Sequence, residues 1–292
     1  MSDTTKIEWA TATWNPWEGC TEVSPGCVNC YAAARNHRFG MDNWGKGKPR
    51  RRTSAANWKK PLAWNRTEEL VKVSSEDFQS NNRPRIFPSL CDWLDDEVSI
   101  EWAADFLRLI HDTPSLDWLL LTKRPQNWRK RVNDAVSCSL LYHGESAWEF
   151  RKWLRDWYEH EIVPENIWLG ASVEDRPRKE RIQHLRETPA AVRFLSLEPL
   201  LEDLGELDLR GIHWVIVGGE SGLGARPCNV EWIRNIVAQC KAAGVPCFVK
   251  QLGAKPCFDS GEGYLKAHPL THPKGGDPSE WPADLNVREF PR

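Results

Sequence analysis

The chain has almost no net charge, only two methionines and no long apolar run. Lys and Arg number 39 against 41 Asp and Glu, for a formal net charge of -2. No global field recruits nucleic acid or membrane, so any such contact must come from a local patch. No apolar stretch approaches the roughly 20 residues of a membrane-spanning helix, which predicts no membrane partner. The opening "MSDTTKIEWA" has neither the basic n-region nor the apolar core of a signal peptide, and the expected location is cytoplasmic. The sequence also lacks a Walker-type phosphate loop, a nucleophile elbow, an internal repeat and a heptad pattern. A second C-x2-C pair is missing, which argues against an auxiliary metal cluster.

What is present is cysteine, tryptophan and short apolar runs. Nine cysteines in a reducing compartment favour metal ligands or buried thiols over disulfides. Seventeen tryptophans read chiefly as core, since each buries much apolar area and needs one partner for its N–H. Six runs are near-continuously apolar: "RIFPSL" (85–90), "DWLLLT" (117–122), "NIWLGASV" (166–173), "RFLSLEP" (193–199), "HWVIVGG" (213–219) and "PCFVKQLG" (246–253). That pattern suits strands covered on both faces, as in a parallel sheet. Helical spacing over 100–113, 176–189 and 229–244 alternates with the runs, the last stretch starting at an Asn229 cap and ending at Gly244. The expectation is an α/β fold with mainly parallel strands. It forms a single (β/α) barrel-like domain over 1–253, with a helical insertion at 135–162 and a Pro/Gly-rich extension at 254–292 that forms no clear element.

Polar residues gather just after these strands: Ser89 and Asp92, Lys123 and Arg124, Ser172 with Glu174 and Asp175, Glu198, Gly218-Gly219-Glu220, and Lys250 with Gln251. In parallel α/β folds the carboxyl ends of the strands hold the active site. Lys123, Glu198 and Glu220 are therefore the catalytic candidates. Lys123, Ser172 and Glu174 are candidates for binding a cofactor. The plainer reading is a neutral network in which Arg226 and Lys250 offset two of the acids. The stretch "KGKPRRRTSAANWKK" (46–60) holds seven Lys or Arg in fifteen residues. Arg50, Arg51 and Arg52 are candidate phosphate contacts on a nucleic acid, against the alternative of a solvated charged loop.

The most informative stretch is "TWNPWEGCTEVSPGCVNCYAAAR" (13–35), with Cys20, Cys27 and Cys30 in a C-x6-C-x2-C array. Three readings stand open. His37 could complete a Cys3His zinc site. Three thiolates could instead hold a [4Fe–4S] cluster with one iron left open. The thiols could also be unliganded. Tyr31, directly after Cys30, could pack near a cluster or an adenine.

"WNPWEGCTEVSPGCVNCYA", "LLLTKRP", "WLGASVED", "FLSLEPLL", "WVIVGGESG" and "VKQLG" together resemble a phage and bacterial three-cysteine-motif family of formerly unknown function, itself similar to radical S-adenosylmethionine (SAM) enzymes. The resemblance covers roughly residues 5 to 255. It implies a radical SAM-type barrel in which Cys20, Cys27 and Cys30 hold a [4Fe–4S] cluster and SAM is the cofactor. Ser89 and Asp92 would stand where such enzymes hold the SAM amine. It further implies rearrangement or isomerisation of a substrate, with an amino-acid-modified thymidine in phage DNA as the leading choice. A small molecule, a peptide or RNA is the alternative. An electron-donor protein would be a partner, and a phage-encoded member would work in the host cytoplasm. A non-catalytic, zinc-stabilised nucleic-acid-binding or adaptor protein is the reading from another class.

Overall fold

The computed structural model describes residues 5–74, 83–259, 265–267 and 270–291. The strands are β1 (Ala12–Thr13), β2 (Trp17–Glu18), β3 (Arg51–Arg52), β4 (Arg85–Phe87), β5 (Asp117–Thr122), β6 (Ile167–Ser172), β7 (Val192–Leu197), β8 (Trp214–Gly218), β9 (Cys228–Asn229), β10 (Cys247–Gln251), β11 (Pro256–Asp259) and β12 (Leu265–Ala267). The helices are α1 (Tyr31–Arg38), α2 (Ala55–Ser74), α3 (Ile100–His111), α4 (Trp128–Ser139), α5 (Glu145–His160), α6 (Glu180–Arg186) and α7 (Val230–Ala243). The main sheet has seven strands in the order β1-β4-β5-β6-β7-β8-β10. This is a mixed α/β fold with a mainly parallel sheet, whose order begins at β1 and ends at β10. All six apolar runs of the sequence became strands of it.

The chain divides into two compact units: residues 1–21, 35–169 and 188–191, and residues 22–34, 170–187 and 192–292. In the first unit β1 pairs in parallel with β4 and β4 with β5, with Ala12 opposite Ile86 and Ile86 opposite Trp118. The short antiparallel pair β2–β3 sets Trp17 opposite Arg52. An aromatic cluster fills this core. Trp14 lies 5.5 Å from Trp118 and 5.7 Å from Phe106, and Trp17 lies 5.9 Å from Phe106. The indole N–H groups of Trp14 and Trp118 find the Asn57 carbonyl and the Thr113 hydroxyl, whereas that of buried Trp17 has no hydrogen-bond partner among the described residues. Helix α5, inside the stretch expected as an insertion, buries Ala147, Phe150, Leu154 and Trp157. The basic stretch is not all loop. Its second half begins α2, where helix-forming Ala, Lys and Leu outweigh Pro61.

In the second unit β7, β8 and β10 pair in parallel, with Leu195 opposite Val215 and Val215 opposite Cys247. Asn229 caps α7 by accepting from the Glu231 N–H, and Gly244 ends it at φ 66°, as the sequence predicted. The 176–189 stretch divides into a 3-10 turn (Arg176–Lys179) and α6. Pro177 favours the first turn, and Asp175 caps it through the Arg178 N–H. The C-terminal stretch supplies β11 and β12, β11 pairing with β9. Its Val287 carbonyl accepts from the Val249 N–H at 2.8 Å.

Gly170 interrupts the apolar face of β6 for a steric reason. A Cβ there would come within 2.2 Å of the Phe194 ring. Gly170→Ala should lower stability by about 1–3 kcal/mol through overpacking, read as a shifted midpoint in urea unfolding. An unchanged midpoint would mean that Phe194 moves aside freely.

Candidate functional site

In the first unit the chemistry centres on Asp92, just after β4. Its Oδ1 accepts from the Thr122 hydroxyl (2.6 Å) and the Leu94 N–H (3.0 Å). Its Oδ2 accepts from Arg124 Nη1 (2.8 Å) and the Lys123 N–H (3.0 Å). Four donors from its own chain occupy this carboxylate, so Asp92 ties the end of β4 to the end of β5. The sequence named it as a group for a cofactor amine; the geometry gives it an internal partner instead. Arg124 continues the network. Nη2 donates to the Thr21 carbonyl at 2.6 Å, and Nη1 lies 3.6 Å from Cys20 Sγ. Burial opposes the Arg124 charge, but Asp92, Cys20 and Asp95 raise its pKa above the ordinary value.

Cys20 is half-buried in this network. Burial and the Asp92 charge push its thiol up to about 12, against the pull of Arg124. Cys91 lies beside it, since Gly19 and Cys91 form a parallel bridge. Its thiol is pushed well above the usual range by burial, Asp92 and Cys20. Ser89 receives an N–H from Asn15 Nδ2 at 3.5 Å. Lys123 is half-buried, and no hydrogen bond or ion pair holds its ammonium among the described residues. His37, the alternative fourth metal ligand, is exposed on α1.

The three arginines of the basic stretch go to different partners. Arg50 is buried and donates to Asp95 at 2.8 Å, both side chains being 1% exposed. It also donates to the Thr21 hydroxyl at 2.6 Å. A side chain so enclosed holds the fold and does not face a phosphate, which corrects the expectation for Arg50. Arg51 pairs with buried Glu18. Arg52 pairs with Asp105 at 2.7 Å and lies 4.4 Å from the Trp58 ring. The expectation of nucleic-acid contact therefore rests on Arg51 and Arg52, both already engaged.

In the second unit Cys27 and Cys30 sit on one turn. Cys27 ends a 3-10 turn that begins at Pro25, the Cys30 N–H reaches the Cys27 carbonyl at 3.1 Å, and Cys30 accepts from the Ala34 N–H as α1 begins. Neither cysteine is in a disulfide, and both are half-buried; the Ser24 hydroxyl lies 3.9 Å from Cys27 Sγ. Tyr31 follows and is 57% exposed. Glu174 is fully buried. Arg181 Nη1 donates to its Oε2 at 2.9 Å and to the Ser172 carbonyl at 2.8 Å. Its Oε1 has no hydrogen-bond partner among the described residues. A Cβ placed on Gly26, next to Cys27, would lie 3.0 Å from this carboxyl.

At the ends of β7, β8 and β10 the two remaining acids each meet a cation. Lys250 Nζ donates to Glu198 Oε1 at 2.6 Å, and Gln251 Nε2 joins at 3.2 Å. Glu220 faces Arg226, Nε donating to Oε2 at 2.9 Å and Nη2 to Oε1. Burial would raise the Glu220 carboxyl, but bonds from the Arg226 side chain and backbone and from Asn29 hold it below the usual carboxylate range. Glu220, a catalytic candidate from the sequence, has its carboxylate bound by Arg226 and Asn29. The glycines before it have a local reason as well: a Cβ on Gly219 would lie 2.3 Å from the Leu252 carbonyl oxygen. Asn29, Arg181, Thr21 and Asp95 were not singled out from sequence. None is marked out by its type or spacing, and only folding reveals its partner. Among the described residues no three His, Cys, Asp or Glu side chains are gathered to hold a metal ion as they stand.

The fold and these clusters define a mixed α/β protein with a thiol-bearing turn and charged groups at the ends of parallel strands. The chain belongs to the family described as a protein of unknown function, DUF5131, which matches residues 4–263. No curated protein and no solved structure matches the chain. Among the described residues no helix is long and apolar enough to cross a membrane.

Arg50→Ala should cost about 3–5 kcal/mol, because it removes the close cation from the buried Asp95 carboxylate and leaves it the Glu97 N–H and Arg124 at 4.0 Å. Arg52→Ala, at a half-exposed pair, should cost about 1 kcal/mol or less. Guanidinium unfolding of both variants checks the contrast, and equal losses would contradict it.

Proposed function

We propose that this protein is a radical SAM-type enzyme in which Cys20, Cys27 and Cys30 hold a [4Fe–4S] cluster. The observation that carries the reading is that two cysteines outside any disulfide sit on one turn, and that Oε1 of buried Glu174, against Gly26 of that turn, has no hydrogen-bond partner among the described residues. An unsatisfied buried carboxylate oxygen costs about 1–3 kcal/mol or more, and a ligand bearing N–H or O–H groups removes that cost. Thiolates suit iron–sulfur ligation, so the donor set fits the group. Held by these residues, a reduced cluster with SAM would supply one-electron cleavage of the sulfonium to methionine and a 5′-deoxyadenosyl radical, the hydrogen-abstracting species.

The chain's own residues bind and orient. Glu174 Oε1 accepts a hydrogen bond from the cofactor's amine or ribose, while Arg181 fixes the carboxylate plane through Oε2. Arg124 donates toward Cys20 Sγ and favours its thiolate form. Lys123, whose ammonium has no partner among the described residues, takes a carboxylate or phosphate of cofactor or substrate. Glu198 and Lys250, in direct contact and both partly exposed, offer one acid and one cation to a polar substrate. The substrate class we favour, through the three-cysteine-motif resemblance, is an amino-acid-modified thymidine in DNA, with the reaction a rearrangement. An electron-donor protein would reduce the cluster, and the cytoplasm would be the setting.

Anaerobic reconstitution with iron and sulfide should give a brown protein that cleaves SAM. Cys20→Ala, Cys27→Ala and Cys30→Ala should each lose SAM cleavage entirely and most of the bound iron. A colourless protein holding one zinc and no iron would sink this reading in favour of a zinc-stabilised adaptor. Full SAM cleavage in all three variants would overturn the ligand assignment.

A further inference from the structure

The turn that carries Cys27 and Cys30 has little apolar anchorage of its own. Residues Pro25–Cys27 bury no side chain, and Ser24 makes no side-chain cap. Val28, between the two cysteines, is 65% exposed. Hydrophobic packing, the usual means of fixing a surface turn, is therefore weak here.

Polar bonds replace it, and they converge from one place. Arg226 Nη1 donates to the Pro25 carbonyl at 2.9 Å, two residues before Cys27. Asn29 Nδ2, one residue before Cys30, donates to Glu220 Oε2 at 3.0 Å and to the Gly224 carbonyl at 2.8 Å. The turn is thus gripped on both sides of Cys27. Glu220 joins the two grips, because its carboxylate also accepts the Arg226 backbone N–H at 2.9 Å and two guanidinium N–H groups. Its own backbone is fixed: the Glu220 carbonyl accepts from the Ala254 N–H at 2.8 Å, and Gly219 donates to the Gln251 carbonyl at 3.1 Å. The position of β8 and β10 is passed through Glu220 and Arg226 to the thiol-bearing turn. A guanidinium is needed for this, since one planar fork must reach a carboxylate and a carbonyl together.

We propose that Glu220, Arg226 and Asn29 form a clamp that sets the Cys27–Cys30 turn, with Glu220 a positioning residue and not a proton-transfer group. The clamp is a property of the chain itself and does not depend on which group the thiols take.

The test uses the full chain without added metal. Alkylation by iodoacetamide is followed at each cysteine by mass spectrometry, with Cys138 of the first unit as internal reference, and hydrogen exchange is followed over residues 25–31. Asn29→Ala leaves the Glu220–Arg226 pair intact, so folding is not at stake, and Arg226→Lys keeps the charge. Each should speed alkylation of Cys27 and Cys30 about tenfold, as expected for losing a hydrogen bond to a charged group, and speed exchange over the turn, with Cys138 unchanged. Glu220→Gln, which keeps an acceptor for Asn29, should raise the rates less than Glu220→Ala does. If Asn29→Ala and Arg226→Lys leave both thiols within about twofold of the parent chain, the clamp is wrong. An equal rise at Cys138 also overturns it, because that reports global loosening. Iron reconstitution plays no part in this readout, so failure of the cluster assignment and failure of the clamp are told apart.

Discussion

Asp92 is the charge on which the first unit turns. A carboxylate just after β4 cannot be buried alone, because desolvation without partners costs several kcal/mol. Its four donors come from β5 and the residues around it, and the strongest, Arg124, is itself buried. Once that pair forms, Arg124 has a fixed direction, and its remaining N–H groups fall on Thr21 and Cys20. Thr21 in turn receives Arg50, which is buried on Asp95. The backbone around Cys20 is thus located by electrostatics that begins two strands away. The second unit repeats the principle with other residues, a carboxylate after β8 holding the turn with Cys27 and Cys30.

Much of the fold was legible because buried parallel strands leave an unambiguous trace. "DWLLLT" and "WVIVG" are apolar on both faces and bounded by turn residues, and they became β5 and β8. The caps of α7 were equally plain, since Asn229 and Gly244 do their work locally. What escaped was structure that depends on distant partners. The two-residue strands β1, β2, β3 and β9 have no period to detect. The basic stretch looked like surface because its charges are adjacent in sequence, yet Arg50 and Arg52 end on different acids, Asp95 and Asp105.

The candidate site shows the same division. Residue types at strand ends suggested which charges offset one another, and Arg226 and Lys250 do lie on Glu220 and Glu198. The roles were harder to read. Sequence presents Asp92, Glu198 and Glu220 as three similar acids, whereas the number of donors around each separates them. Asp92 and Glu220 are saturated, while Glu174 has one oxygen with no hydrogen-bond partner among the described residues. A single asparagine in a cysteine-rich turn carries no signal by itself, and only the position of Gly224 and Glu220 gives Asn29 its meaning.

The tight approach of Gly219 to the Leu252 carbonyl bears on how such chains can diverge. Any side chain at 219 collides with backbone that cannot swing away. The Gly-Gly-Glu triplet is therefore under a packing constraint at its second glycine and an ion-pair constraint at its glutamate, neither of which refers to a substrate. Descendants of this chain could change what they act upon and still keep all three letters. A search keyed to that triplet would gather proteins that share a loop crossing, and their chemistries would have to be sorted by other residues.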